Sequence, residues 1–189
     1  MTNNMKKSFI AIIGSLRKGS YNRMLYEAAK KLLPEKIDFK EIPIKNLPLY
    51  NQDLEENFPK EARELKDSVK KADGIIFFTP EFNRTIPAPL KNAIDWISRP
   101  YGKNSIAGKP VYVMGATVGG VGTALSQYNL KQALLYLDAN ILGQPEFYLS
   151  MAGQKFNTNG ELTDELTKNH LKQAMERFVS YTDQFSLIK

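Results

Sequence analysis

The chain has 189 residues, 42% hydrophobic and 24% charged, which is the balance of one folded domain rather than of a disordered or membrane-spanning chain. It contains no cysteine and a single histidine, so disulfides, thiolate nucleophiles and cysteine metal sites are excluded, and a metal centre or a histidine-based triad is disfavoured. The net charge of +6 comes from Lys and Arg scattered along the chain, which favours solubility and attraction of small polyanions over nucleic acid.

The opening MTNNMKKSFIAIIGS places two lysines ahead of an apolar run only a strand long, and a polar loop ends it. It reads as a strand from Phe9 to Ile13, not as a signal peptide. No stretch approaches the ~20 apolar residues of a bilayer-spanning helix, so a cytoplasmic protein without membrane contact is expected. Leu25, Ala28, Ala29 and Leu32 repeat at steps of three and four, predicting a helix from Ser20 to Leu33 that Pro34 stops. A weaker strand candidate covers Ile37 to Ile44. Ala62, Leu65 and Val69 mark one face of a helix from Pro59 to Ala72, and Gly74 opens a strand from Ile75 to Phe78. The next helix, Ala88 to Ser98, turns Leu90, Ala93, Ile94 and Ile97 inward. A strand at Val111 to Met114, a helix from Thr123 to Leu137 and a weaker strand at Pro145 to Leu149 follow. The last helix begins near Leu162 and carries Leu166, Leu171, Ala174, Phe178 and Val179; His170, in its polar stretch, reads as a surface position.

Five alternations of strand and helix define a doubly wound α/β fold with a buried parallel sheet, in one domain covering residues 1–189. Ligands in such folds bind beyond the carboxyl ends of the strands. The loops after Ile13, Phe78 and Met114 are therefore the place to look.

The first loop, Gly14 to Asn22, can hold a phosphate. Ser15, Ser20 and Asn22 donate hydrogen bonds, Arg17 supplies a cation, and the following helix points free N–H groups at the anion. It is not a P-loop, because Ser20-Tyr21 replaces Lys-Ser/Thr, and Leu16 and Arg17 break the dinucleotide fingerprint. A single monophosphate is the guest that fits. The second loop, Thr79 to Pro87, combines stiffening prolines with Pro80, Glu81, Phe82 and Asn83, suited to the edge and face of a planar heterocycle. The third, Ala116 to Thr123, has three glycines that allow a close backbone wrap. Taken singly, each has an ordinary reading as a turn or connection. Meeting at one sheet edge, they describe a pocket for FMN.

These residues resemble the NADPH-dependent FMN reductase family, which has a flavodoxin-like fold and includes quinone-, azo- and chromate-reducing members. The resemblance rests on GSLRKGSYN, on TPEFNRTIPAPLKNAIDW from Thr79 to Trp96, and on QYNLKQALLYLDANILGQPEF from Gln127 to Phe147. It implies a five-stranded parallel sheet in the order 2-1-3-4-5. It implies that Ser15, Arg17, Ser20 and Asn22 hold the FMN phosphate, with Pro80, Glu81, Phe82 and Asn83 along the isoalloxazine and Thr117, Gly119 and Gly120 at its other edge. Phe82 departs from the tyrosine usual in relatives, so a hydroxyl is missing while the ring face remains. Trp96 fits core or interface packing better than cofactor contact.

The activity so implied is transfer of electrons from NADPH or NADH through FMN to a small acceptor: a quinone, azo or nitro compound, metal oxyanion or flavin. The flavin carries the redox chemistry, so no catalytic triad is assigned. Arg84 is a candidate for the 2′-phosphate of NADPH, against the plainer reading of a solvated charge. A flavodoxin-type electron carrier is the alternative, disfavoured by the basic charge, and a non-catalytic nucleotide-binding regulator is a second. The resemblance also implies a homodimer or homotetramer, with Tyr128 and Glu146 as candidate interface residues.

Overall fold

A computed structural model describes residues 6–186. Its strands are β1 (Lys7–Ile13), β2 (Ile37–Glu41), β3 (Gly74–Phe78), β4 (Pro110–Ala116), β5 (Asn140–Ile141) and β6 (Phe147–Leu149). The helices are α1 (Tyr21–Leu32), α2 (Lys60–Lys71), α3 (Ala88–Ser98), α4 (Ala124–Tyr136) and α5 (Glu165–Ser186). All strand pairs are parallel, and the order 2-1-3-4-5 is the expected one.

The central strands read as unbroken apolar runs because both faces of the sheet are covered. Phe9, Ala11, Ile13, Ile76, Phe78 and Met114 face one core with Leu25 and Ala29 of α1 and Leu171, Ala174 and Phe178 of α5. Ile10, Ile12, Ile75, Phe77, Val111 and Val113 face the other, against α2, α3 and α4. Each fully buried large side chain of this kind contributes about 1.5–3 kcal/mol.

The fifth position of the sheet differs from the single strand expected at Pro145 to Leu149. It is filled in two pieces, β5 beside Pro110 and Val111 and β6 beside Met114 to Ala116. Between them the chain leaves the ladder: Pro145 has no N–H to give, and its carbonyl accepts from the Tyr112 hydroxyl at 2.6 Å instead. Leu166 also departs from expectation, being 81% exposed. Asp164 accepts the Thr167 amide at 2.9 Å, which sets the start of α5 at Glu165 and leaves Leu166 in its outer first turn. Leu162 packs before the helix begins, bridged to Phe156.

Trp96 is fully buried, and its indole N–H donates to the Pro48 carbonyl at 2.8 Å. Asn92 accepts the Tyr50 amide at 2.8 Å and donates to Pro48 at 2.9 Å. The two side chains hold down the crossover between β2 and α2, so Trp96 is a packing residue.

Backbone bonds continue past the strand ends, from Gly14 to Phe78, Thr79 to Met114 and Thr117 to Leu149, each 2.9 Å. They place the three chemically loaded loops side by side at the carboxyl edge. Gly115 lets them close: a Cβ there would lie 2.1 Å from the Thr123 hydroxyl and 2.2 Å from the Thr79 carbonyl.

Candidate functional site

A cavity of about 810 Å³ opens between these loops, within the range of small-molecule and cofactor sites. Ser15, Arg17, Ser20, Asn22, Pro80, Glu81, Phe82, Asn83 and Thr117 all line it. Gly119 and Gly120 line an adjoining hollow of about 300 Å³ that shares Glu81, Asn83 and Thr117 with the main cavity. The walls carry apolar surface that the protein leaves open, with Leu16 47%, Phe82 63% and Val118 62% exposed. A flat apolar ligand would cover all three.

Three helices begin at this edge, and they differ in what they offer an anion. At α1, Ser20 is the N-cap and its hydroxyl accepts the Arg23 amide. The amides of Tyr21 and Asn22 have no acceptor among the described residues, and the first turn has no acidic side chain. Arg17 lies beside them with its guanidinium 5.5 Å from the Tyr21 ring centroid. At α3, Pro89 has no N–H, and the amides of Leu90 and Lys91 both bond to the Pro87 carbonyl at 3.0 Å. At α4, the Glu81 carboxylate accepts the amides of Leu125 and Ser126 at 3.1 and 3.3 Å. Of these three starts, α1 leaves two consecutive amides open beside a cation, the local arrangement that suits an anion.

Asn22 and Glu81 have jobs that their neighbours in sequence do not announce. Asn22 is buried, and its amide brackets Ala116, donating to the carbonyl and accepting from the N–H at 3.0 Å each. That ties the start of α1 to the end of β4. Glu81 turns its carboxylate onto α4 and pairs with Arg84 at 3.0 Å. Reading by sequence missed Tyr21, Ile86, Pro87 and Lys91 as lining residues. Lys91 lines the cavity while paired with Asp95 one helical turn on, at 2.7 Å.

The fold moves proton affinity most at places that do not line the cavity. Burial lowers Lys66 to about 8, its ammonium held by the carbonyls of Ile97 and Lys103. Burial raises the Tyr112 and Tyr148 phenols, with the Glu146 carboxylate beside them adding to it. The site is built for binding and orienting a group that brings its own chemistry. Among the described residues no cluster of His, Asp and Glu could hold a metal ion, and no helix is long and apolar enough to cross a membrane.

A parallel sheet ordered 2-1-3-4-5, with open helix-start amides and an apolar cleft at its carboxyl edge, is the arrangement of a flavodoxin-like FMN protein. The model of the NADPH-dependent FMN reductase family matches residues 8–154, and the chain belongs to that family. It is an oxidoreductase that passes electrons from a reduced nicotinamide nucleotide through FMN to a small acceptor. It is 38% identical over 177 residues to a 2-hydroxy-1,4-benzoquinone reductase of Burkholderia sp, covering 94% of this chain and 97% of the relative. An NADPH:quinone oxidoreductase of Arabidopsis thaliana is 41% identical over 179 residues, covering 91% and 90%. The flavoenzyme FerB, an NAD(P)H:(acceptor) oxidoreductase from Paracoccus denitrificans, superposes with a TM-score of 0.89 at 38% identity, covering 94% and 98%.

Proposed function

We propose that this chain, acting as one domain over residues 1–189, is a quinone reductase whose FMN phosphate docks at the start of α1. The observation that carries the reading is the contrast between the α1 and α4 starts: Glu81 takes up the first-turn amides of α4, whereas the Tyr21 and Asn22 amides of α1 have no acceptor among the described residues and stand beside Arg17. Ser15, Arg17 and Ser20 surround the phosphate, and Asn22 gives its backbone amide while its side chain holds Ala116 in place. Pro80, Phe82 and Asn83 flank the ring, with Phe82 as a wall and the Glu81 carboxylate turned away onto α4, and Thr117, Gly119 and Gly120 follow its other edge. A Cβ at Gly120 would meet nothing within 4 Å, so this backbone stretch leaves space for a ligand to approach.

Bound FMN supplies the redox chemistry, taking an electron pair from the nicotinamide and giving it to the acceptor. The protein binds the phosphate, fixes the ring plane and keeps one face open for the two substrates in turn. Apolar Phe82, Leu16 and Val118 favour a planar, weakly polar acceptor, and the quinone-reducing relatives support that class.

We also place the protein in the cytoplasm, as a homodimer or homotetramer. The outer face of α4 supports self-association, with Tyr128, Leu135 and Tyr136 54%, 70% and 84% exposed. Glu146 is already paired with Lys131 at 2.8 Å, and that ammonium lies over the Tyr128 ring. An interface there would cover a preformed cluster.

The purified protein should retain FMN through gel filtration and oxidise NADPH with benzoquinone and no protein partner. Parallel rates with NADH measure nucleotide preference, and light scattering measures assembly. Protein that holds no flavin and oxidises neither nucleotide overturns the reading.

A further inference from the structure

The loop that carries Phe82 is a strained hairpin. Phe82 and Thr85 exchange backbone bonds of 3.3 and 2.9 Å around Asn83 and Arg84, whose φ angles are 48° and 62°. A two-residue turn of this hand ordinarily takes glycine at its second position. A left-handed arginine is strained and persists only where its surroundings enforce it.

Those surroundings are one face of α4. One Glu81 carboxylate oxygen accepts the amides of Leu125 and Ser126, and the other accepts from Arg84. Asn129 donates to the Arg84 carbonyl at 3.1 Å and to the Thr85 hydroxyl at 3.3 Å. Beneath them the hydroxyls of Thr79 and Ser126, both fully buried, are 2.8 Å apart. Phe82 itself is 63% exposed, so the hairpin backbone fixes where its ring stands.

We propose that Glu81 and Asn129 are positioning residues that clamp the hairpin to α4 and so set the wall of the cavity; this rests on the FMN reading above. Glu81 is then no ring contact. Its carboxylate fills the α4 start, leaving the α1 start as the place for phosphate. Asn129 acts one helical turn further on, through the Arg84 carbonyl.

The test begins with FMN-free protein and amide hydrogen exchange in Glu81→Gln and Asn129→Ala. Exchange at the Phe82 and Thr85 amides should quicken about tenfold while β3 keeps its protection. With FMN bound, both variants should change the visible circular dichroism of the flavin. They should also raise KM for the quinone about threefold to tenfold with kcat nearly unchanged, as loss of positioned binding surface predicts. Glu81→Gln, which keeps an oxygen acceptor, should retain part of what Glu81→Ala loses. Hairpin amides exchanging at wild-type rates in both variants overturn the clamp. Faster exchange with unchanged dichroism and KM overturns the positioning role. Wild-type protein that takes up no FMN overturns the functional reading, and this shows in the first titration, before any variant is made.

Discussion

The starts of α1 and α4 stand at the same sheet edge and have the same backbone electrostatics, yet one is open and the other is filled from within. At α4 the Glu81 carboxylate occupies the place an external anion would take. At α1 the first turn carries no acidic side chain, and Arg17 and Ser20 face the cavity instead. A helix start becomes a ligand site when the protein withholds its own counter-charge. On the proposed reading, the α1 start takes one phosphate, which suits FMN better than a dinucleotide.

Making α1 resemble α4 should have the largest effect. Ser20→Asp keeps a good N-cap, so the FMN-free protein should melt within a few degrees of wild type. A carboxylate about 4 Å from the phosphate costs about 4 kcal/mol in a partly screened site, a loss of several hundredfold in FMN affinity. Riboflavin, which has no phosphate, should bind as before, and paired titrations measure the ratio. Equal loss for both ligands would mean that the phosphate docks elsewhere. Arg17→Ala is milder, removing about 1.5–3 kcal/mol, the worth of a hydrogen bond to a charged group. Retention of FMN with unchanged affinity would remove Arg17 from the site.

Emptying α4 works in the opposite direction. Glu81→Ala frees two first-turn amides and should lower the stability of FMN-free protein by about 1–2 kcal/mol in a urea titration. It should also admit inorganic phosphate as a weak inhibitor at that end. No change in stability would show that water caps α4 as well as Glu81 does.

The sequence made α1 legible and hid α4, for a physical reason. Gly14 to Asn22 is a contiguous strand–loop–helix whose polar and cationic side chains are neighbours in the chain, so the segment is legible as cavity lining from its local pattern. The α4 cap comes from Glu81, 44 residues upstream of Leu125, and the Asn22 bond to Ala116 spans 94 residues. Neither pairing leaves a local pattern. Strand alternation gave the doubly wound class and the family resemblance the sheet order, but neither gave the split fifth strand or the outward Leu166. The first rests on the Tyr112 hydroxyl, which bonds to the Pro145 carbonyl 33 residues on, and the second on the local cap by Asp164; apolar periodicity encodes neither.

Arg84→Gly gives the smallest effect and the sharpest division between strain and charge. Glycine removes the left-handed penalty at φ 62°, a gain of about 1 kcal/mol. It also removes the pair with Glu81, in which Arg84 is 65% exposed and which is therefore worth less than about 1 kcal/mol. The bond from Asn129 reaches the residue 84 carbonyl and survives the change. The two terms nearly cancel, so the stability of FMN-free protein should move by less than about 0.5 kcal/mol. Because the guanidinium is committed to Glu81, the ratio of KM for NADPH to KM for NADH should also hold. A rise in that ratio with unchanged stability would give Arg84 the nucleotide 2′-phosphate. A loss above about 1 kcal/mol would instead show that the ion pair, not the helix cap, holds the hairpin against α4.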